Sequence, residues 1–316
     1  MKMVTSTVTA NLIPAKYNPH NVIQIPKLSP FPNRKLRRRS IAWPNLLITM
    51  AEGNSSNGQK PFPVIVQERI TIPNKDGVKL VGLLDDTGSK DLVIICHGFR
   101  SSKESGTLAN LATALTSNGI SAFRFDFSGN GESGGEFLFG NYWNEVEDLR
   151  AVVLYFSGKE RKVNTIIGHS KGGNAVLLYG SKHHDIVGTI INISGRYDLT
   201  KGIEDRLGKD FERRINEDGF IDVTNKDGNV IYRITKESLM DRLQTDMKSA
   251  ALSIPKSCRV LTIHGSKDEI IPITDAFEFD KLIPNHSLHV IDEANHSYTF
   301  HRNDLASVVL NFIKAV

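Results

Sequence analysis

No run of 18 apolar residues occurs anywhere in the 316-residue chain, so nothing in it reads as a membrane-spanning helix. There are two cysteines, Cys96 and Cys258, each in a strand-like apolar run. That pattern excludes a disulfide framework and reads as reduced, buried thiols. No Cys/His group has zinc spacing, and His183-His184 reads as a solvated helix end. The Gly-rich stretch FDFSGNGESGGEF (125–137) lacks the Lys-Ser/Thr of a P-loop, and Gly129, Gly131 and Gly134 fit a dinucleotide fingerprint only loosely. It reads as a tight loop shaping a pocket, and the sequence calls for no cofactor and no metal.

Acid is missing from the first 51 residues, which carry eight Lys or Arg; in the rest, 31 bases face 35 acids. The net charge of +4 therefore belongs to the N-terminal segment, the body is mildly acidic, and a nucleic-acid partner is not expected. Residues 1–61 have scattered prolines, Ser and Thr, and an NRKLRRRS cluster, with no apolar h-region of a secretory signal. They read as a targeting segment and flexible linker, with a chloroplast transit peptide favoured over a mitochondrial one or a plain disordered tail. The basic cluster equally suits a nuclear or anionic-surface patch, and a second start at Met50 would give a cytoplasmic form.

In the body, the stretch IIGHSKGGNAVLLYG (166–180) places Ser170 between Gly168 and Gly172, where a β-branched apolar run gives way to helical spacing of Ala175, Val176, Leu178 and Tyr179. Gly-x-Ser-x-Gly arises by chance in about one chain in ten of this length, so the context decides. A strand-to-helix turn needs small residues where its two arms meet, and it exposes the serine hydroxyl at a helix N-terminus. Ser170 is thus a candidate nucleophile.

Around it, residues 66–84 read as a hairpin about Asn-Lys-Asp-Gly, and strands then alternate with helices to the C-terminus. Leu108, Leu111, Ala112 and Leu115 share one helical face, as do Trp143, Val146, Leu149, Val153 and Phe156. The alternation predicts an α/β fold with a mainly parallel central sheet covered by helices on both faces. The domain expected is 62–316. Its rhythm breaks between Ser194 and Arg259, where over sixty residues replace a short crossover. A charged helical stretch, a second hairpin and an amphipathic helix with Leu239, Leu243 and Met247 form a cap insertion at about 197–252.

A serine needs a base, and the base needs an acid to hold its tautomer. Reading forward, HGSKDEIIP offers Asp268 and IDEANHSYT offers His296, each after a strand, at the edge of the sheet where the serine turn also lies. Glu269 competes for the acid and His286, His289 and His301 for the base, while His169 and His264 read as turn or packing residues. The oxyanion donors expected are the backbone N–H groups of Lys171, after the nucleophile, and of Phe99 in HGF (97–99), their side chains being incidental.

As a set, HGF, FDFSGNGES, GHSKGG, HGSKDEIIP and NHSYT resemble the α/β-hydrolase superfamily, in particular the serine aminopeptidase S33/monoglyceride-lipase-like branch that includes plant hydrolases of unassigned substrate. The resemblance covers 62–316 and implies the α/β-hydrolase fold with Ser170, Asp268 and His296 as its triad. The capping insertion with its hairpin is also similar to that of bacterial cinnamoyl and feruloyl esterases. Together these imply a cofactor-independent serine hydrolase acting on a small-molecule ester with a small or medium acyl group. Because its histidine base must be neutral, activity should rise through about pH 6 to 7. An aminopeptidase using Glu204, Asp205, Asp210 and Glu212, an acyltransferase or lyase, and a receptor-like hydrolase remain open. Oligomeric state is not legible.

Overall fold

A computed structural model describes residues 65–183 and 185–315. The N-terminal segment on which the targeting reading rests lies outside the described residues, as does His184.

The chain opens with the expected hairpin, β1 (Val66–Pro73) and β2 (Lys79–Asp86), paired from Val66↔Asp86 to Pro73↔Lys79. Asn74 builds its turn: Oδ1 accepts the N–H groups of Asp76 and Val78 at 3.0 and 2.9 Å, and Gly77 supplies φ +77°. There follow β3 (Asp91–Cys96), α1 (Gly106–Ser117), β4 (Ser121–Phe125), α2 (Tyr142–Ser157), β5 (Lys162–His169), α3 (Lys171–Lys182) and β6 (Thr189–Ile193). Next come α4 (Ile203–Leu207), α5 (Phe211–Asp218), a second hairpin of β7 (Phe220–Thr224) and β8 (Val230–Thr235), α6 (Lys236–Gln244) and α7 (Met247–Ser253). The chain closes with β9 (Arg259–Gly265), α8 (Thr274–Leu282), β10 (His286–Ile291) and α9 (Arg302–Lys314).

Eight strands form one sheet in the order β1-β2-β4-β3-β5-β6-β9-β10. β2 runs antiparallel to both neighbours, and every pairing from β4 to β10 is parallel. Alternate side chains of the central strands go to opposite faces. Ile94, Phe123, Phe125 and Ile166 face α2, α3 and α7. Val93, Ile95, Ile167 and Ile191 face α1 and α9. Burial of each such side chain contributes about 1.5–3 kcal/mol, and the two layers together fix strand register, because a one-residue slip would turn both cores inside out.

A third, smaller core joins Ile203, Phe211, Ile221, Ile234 and Leu239, all between β6 and β9, to Phe139 from the loop before α2, with Phe99 and Phe137 packed on it. Two helices here are shorter than their patterns suggest. The charged stretch 201–215 breaks at Gly208 (φ +86°) into α4 and α5. The amphipathic run through Met247 breaks at Thr245–Asp246, where Asp246 Oδ1 accepts the N–H groups of Lys248 and Ser249 and starts α7 afresh. On α2, Tyr142 is buried whereas Trp143 is exposed beneath the ammonium of Lys182, so the apolar stripe begins one residue earlier than the spacing predicts.

Candidate active site

β5 ends at His169 and α3 begins at Lys171, leaving Ser170 alone between them at φ +57°, ψ −121°. Such a conformation costs a non-glycine residue about 1–3 kcal/mol, and the surroundings must impose it. They do so by close backbone approach. A Cβ on Gly168 would lie 2.0 Å from the Gly172 carbonyl oxygen, and one on Gly172 would lie 2.5 Å from that of His97. Any side chain at either position would drive α3 off the sheet. The Ser170 N–H donates to Ile193 O at 2.8 Å, tying the turn to β6.

Asp268 lies in the loop after β9. Its Oδ1 accepts the N–H groups of Ile270 and Ile271 at 2.9 and 2.8 Å, and its Oδ2 accepts from His296 Nδ1 at 2.8 Å. Burial raises this carboxyl, but the hydrogen bond and charge of His296 and the two N–H groups outweigh it and hold it below its ordinary value. With Nδ1–H spent on Asp268, His296 Nε2 is left as an acceptor 3.0 Å from Ser170 Oγ. Three residues from three loops thus meet in one hydrogen-bonded line. Glu269, the competing acid, reaches only the backbone N–H of His296, through Oε2 at 3.1 Å. Among the competing histidines, His286 is held between Asp280 and Thr262, His289 is exposed and His301 precedes α9.

Two histidines beside the line hold it in place. His169 Nε2 donates to the His296 carbonyl at 2.8 Å, and burial lowers its imidazole to about 4. His97 donates Nδ1–H to Gly98 O at 2.7 Å and accepts the Phe127 N–H at Nε2, 3.0 Å, which requires the neutral ring that burial, lowering it to about 4, enforces. His169 reads as a turn or packing residue in the sequence, but the His296 carbonyl it meets lies 127 residues away, and the Phe127 N–H that His97 accepts lies 30 residues away, so no local pattern discloses these two contacts. His97 fixes the loop that carries Gly98 and Phe99. A Cβ on Gly98 would stand 2.9 Å from Ser170 Cβ, so the backbone leading to the Phe99 N–H passes directly beside the serine. Lys171 opens α3, where N–H groups have no partner within the helix. Both expected donors therefore flank Ser170.

Their side chains do more than the sequence suggests. Lys171 Nζ is buried against Glu145 Oε1 at 2.7 Å and sits 4.9 Å from the Tyr142 ring centre. Burial pushes the Glu145 carboxyl up to about 7, with Lys171 pulling against it. Phe99 meets Phe137, Phe139 and Tyr232 edge-on.

Ser170 borders two cavities. One, about 340 Å³, is lined by Thr107, His169, His296, Ser297 and Arg302. The other, about 60 Å³, lies between Ser170 and the inserted elements, lined by Phe99, Phe139 and three arginines, Arg196, Arg206 and Arg242. A cleft of about 430 Å³ along Gly129, Glu136 and Arg233 does not reach the serine. The Gly-rich loop itself wraps a carboxylate: Asp126 accepts from Lys103 Nζ at 2.7 Å and from the Glu132 N–H at 2.9 Å, and a Cβ on Gly131 would lie 2.2 Å from its Oδ2. Glu204, Asp205, Asp210 and Glu212 are exposed and do not line either cavity at Ser170.

Comparison with known proteins agrees with this geometry. The family model described as serine aminopeptidase, S33, matches residues 87–303. A monoacylglycerol lipase of Mycolicibacterium smegmatis is 24% identical over 208 residues, 60% of this chain and 74% of that one. Among solved structures, Est1E of Butyrivibrio proteoclasticus with ferulic acid bound superposes with TM-score 0.66 at 25% identity, covering 77% of this chain and 97% of that one. An esterase of Pyrococcus furiosus gives TM-score 0.62 at 22% identity over 79% and 92%. The architecture is that of the α/β-hydrolases. Among the described residues no helix is long and apolar enough to cross a membrane.

Proposed function

The chain belongs to the serine aminopeptidase S33 family of hydrolases, and from that premise we propose that it is a carboxylesterase working through Ser170, His296 and Asp268. The observation that carries this reading is the unbroken line from Asp268 Oδ2 to His296 at 2.8 Å and from His296 to Ser170 Oγ at 3.0 Å.

In the mechanism, His296 Nε2 takes the Ser170 proton as Oγ attacks the ester carbonyl. Asp268 keeps the ring in the tautomer that can accept and balances the imidazolium that forms. The oxyanion is held by the N–H groups of Lys171 and Phe99, aided by the positive end of α3. His296 then gives its proton to the leaving alcohol. Water, deprotonated by the same nitrogen, attacks the acyl-enzyme, and the acid leaves as Ser170 regains its proton. Every charge that develops faces a group already in place, so little reorganisation is needed during the reaction.

An ester is favoured over the N-terminus of a peptide by the lining of the smaller cavity. An aminopeptidase must hold a substrate ammonium, and the wall here presents guanidinium groups, while Glu204, Asp205, Asp210 and Glu212 are exposed and do not line it. The name of the monoacylglycerol lipase relative points the same way.

The test is turnover of p-nitrophenyl acetate, butyrate and octanoate by the full chain and by Ser170→Ala, with fluorophosphonate labelling of both. Turnover and labelling should both vanish in the variant, and the short esters should be preferred. A folded wild-type protein that neither turns over nor labels would defeat the hydrolase reading.

A further inference from the structure

Resting on the esterase reading, we infer that the substrate's acyl part ends in a carboxylate: the chain hydrolyses half-esters of short dicarboxylic acids. The juxtaposition behind this is the set of three guanidinium groups on the wall of the cavity beside Ser170, contributed by three separate segments. Arg196 follows β6, Arg206 lies on α4 and Arg242 on α6.

None of the three is neutralised within the described residues by a hydrogen-bonded acid. Arg242 donates to the carbonyls of Leu199 and Lys201 at 2.9 and 3.2 Å and to the Tyr142 hydroxyl at 3.0 Å. Arg196 donates to Ile270 O at 2.5 Å. Arg206 donates to the Tyr232 hydroxyl at 3.4 Å and stacks 4.5 Å from the Phe99 ring centre. All of these partners are neutral, so the groups are oriented without being discharged. Lys171, the fourth cation on this wall, is paired with Glu145, and no Asp or Glu lines the cavity. Asp198 lies near enough to attract Arg242, and Asp275 to feel Arg196, but the Asp275 carboxylate is engaged by the Tyr197 N–H at 2.9 Å. A guanidinium has five N–H donors in a planar fork suited to a carboxylate, and each of these arginines has donors to spare.

Which half of an ester enters this cavity follows from the chemistry. The leaving alcohol takes its proton from His296 and must depart on that ring's side, into the larger cavity lined by His296, Ser297 and Thr107. The smaller cavity, lined by Ser170, Lys171 and Asn174 but not by His296, is left for the acyl chain. A water needs roughly 10–15 Å³ of such space, so a cavity of about 60 Å³ admits only a handful of non-hydrogen atoms. A few methylenes and one carboxylate fill it. In the reaction the acyl carbon exchanges its bond to the alcohol oxygen for one to Ser170 Oγ, the alcohol leaves with the proton held by His296, and water then divides between acid product and serine, giving a dicarboxylate and an alcohol.

Three ethyl esters separate charge from shape: monoethyl glutarate, the isosteric neutral amide ethyl 5-amino-5-oxopentanoate, and ethyl pentanoate, followed by ethanol release with the full chain. A carboxylate meeting an oriented guanidinium gains roughly ten- to a hundredfold over a neutral group of the same shape, so kcat/KM for the half-ester should exceed that for the amide by at least about tenfold, chiefly through KM. Raising salt to 0.5 M should shrink the ratio. Arg206→Gln, at an exposed position, and Arg242→Gln should each lower it, while Arg242→Lys should restore part of it. Because the ratio is taken within each variant, loss of folded protein does not move it. A ratio of one or less in a wild-type protein that cleaves ethyl pentanoate overturns the anionic-substrate inference and leaves the esterase standing. No cleavage of any ester, with no fluorophosphonate labelling, removes both.

Discussion

Replacing Asp268 by Asn tests the assignment of the acid through its effect on one proton. In the native site Asp268 Oδ1 is committed to the N–H groups of Ile270 and Ile271, at 2.9 and 2.8 Å, and only Oδ2 faces His296. An asparagine must keep its single oxygen toward those two donors, since turning the amide would set NH2 against two N–H groups. Its NH2 then faces His296 Nδ1, which has to become an acceptor. The ring proton moves to Nε2, the nitrogen 3.0 Å from Ser170 Oγ, and a protonated Nε2 cannot take the serine proton. The side chain changes by one atom, the geometry is preserved, and the base is switched off.

Loss of the correct tautomer in a triad of this kind lowers kcat by about 10⁴, which is about 5.5 kcal/mol of transition-state stabilisation. The assay is kcat on p-nitrophenyl butyrate with circular dichroism of the same sample, and the rate of fluorophosphonate labelling should fall with kcat. Glu269→Gln is the matched control. Glu269 touches the His296 backbone N–H and not the ring, so the change should cost less than tenfold. If Asp268→Asn keeps more than a tenth of the activity, or if the large loss appears in Glu269→Gln instead, the tautomer argument is wrong.

Three further outcomes are expected. Gly98→Ala puts a methyl 2.9 Å from Ser170 Cβ and 3.1 Å from His169 O, and displacement of the loop bearing the Phe99 N–H should reduce kcat by about 10²; an unaltered kcat would show that this loop does not hold the oxyanion. His97 and His169 are lowered by burial to about 4, so below pH 6.5 the unfolded chain takes up protons that the folded chain refuses. Unfolding free energy should therefore fall as pH drops from about 6.5 toward 4, by up to a few kcal/mol, and denaturant melts across that window that show no fall would remove the neutral-histidine account. Both thiols are raised by burial, Cys96 well above its ordinary value and Cys258 to about 11, so iodoacetamide at pH 8 should modify neither in the folded protein and both in urea, as read by mass.

The hydrogen-bonded line Asp268–His296–Ser170, proposed as the catalytic one, was legible in the sequence because its order along the chain is tied to strand ends. A parallel sheet brings the C-terminal ends of β5, β9 and β10 to one edge, and Ser170, Asp268 and His296 each follow one of those strands. Backbone geometry thus does the gathering, and residue type at a strand end is enough to read it. Where short-range chemistry decides, the reading fell short by small amounts. Asp246 was capable of starting a new helix turn and did, and Tyr142 displaced Trp143 from the buried stripe because its hydroxyl finds Arg242 at 3.0 Å.

The cavity lined by the three arginines follows a different rule. Arg196, Arg206 and Arg242 lie on a loop and two helices whose arrangement is set by the small apolar core of the inserted region, with Ile203 and Leu207 on α4 and Leu239 on α6 anchoring the arginines' own helices. No period in the sequence links positions 196, 206 and 242, and a reader of the chain sees three charged residues among many in a segment where acids are as frequent. What separates them from the acids is direction: the same apolar contacts that turn Ile203 and Leu207 inward leave Glu204 and Asp205 in solvent and lay Arg206 over Phe99 at the cavity mouth. A segment whose charges balance in composition therefore presents only basic side chains to the cavity at the serine, while its outer surface carries both signs. Swapping the acidic residues of α4 for neutral ones should accordingly leave the preference between half-ester and amide unchanged, whereas any substitution that rotates α4, such as Leu207→Ala, should erode it without touching a charge.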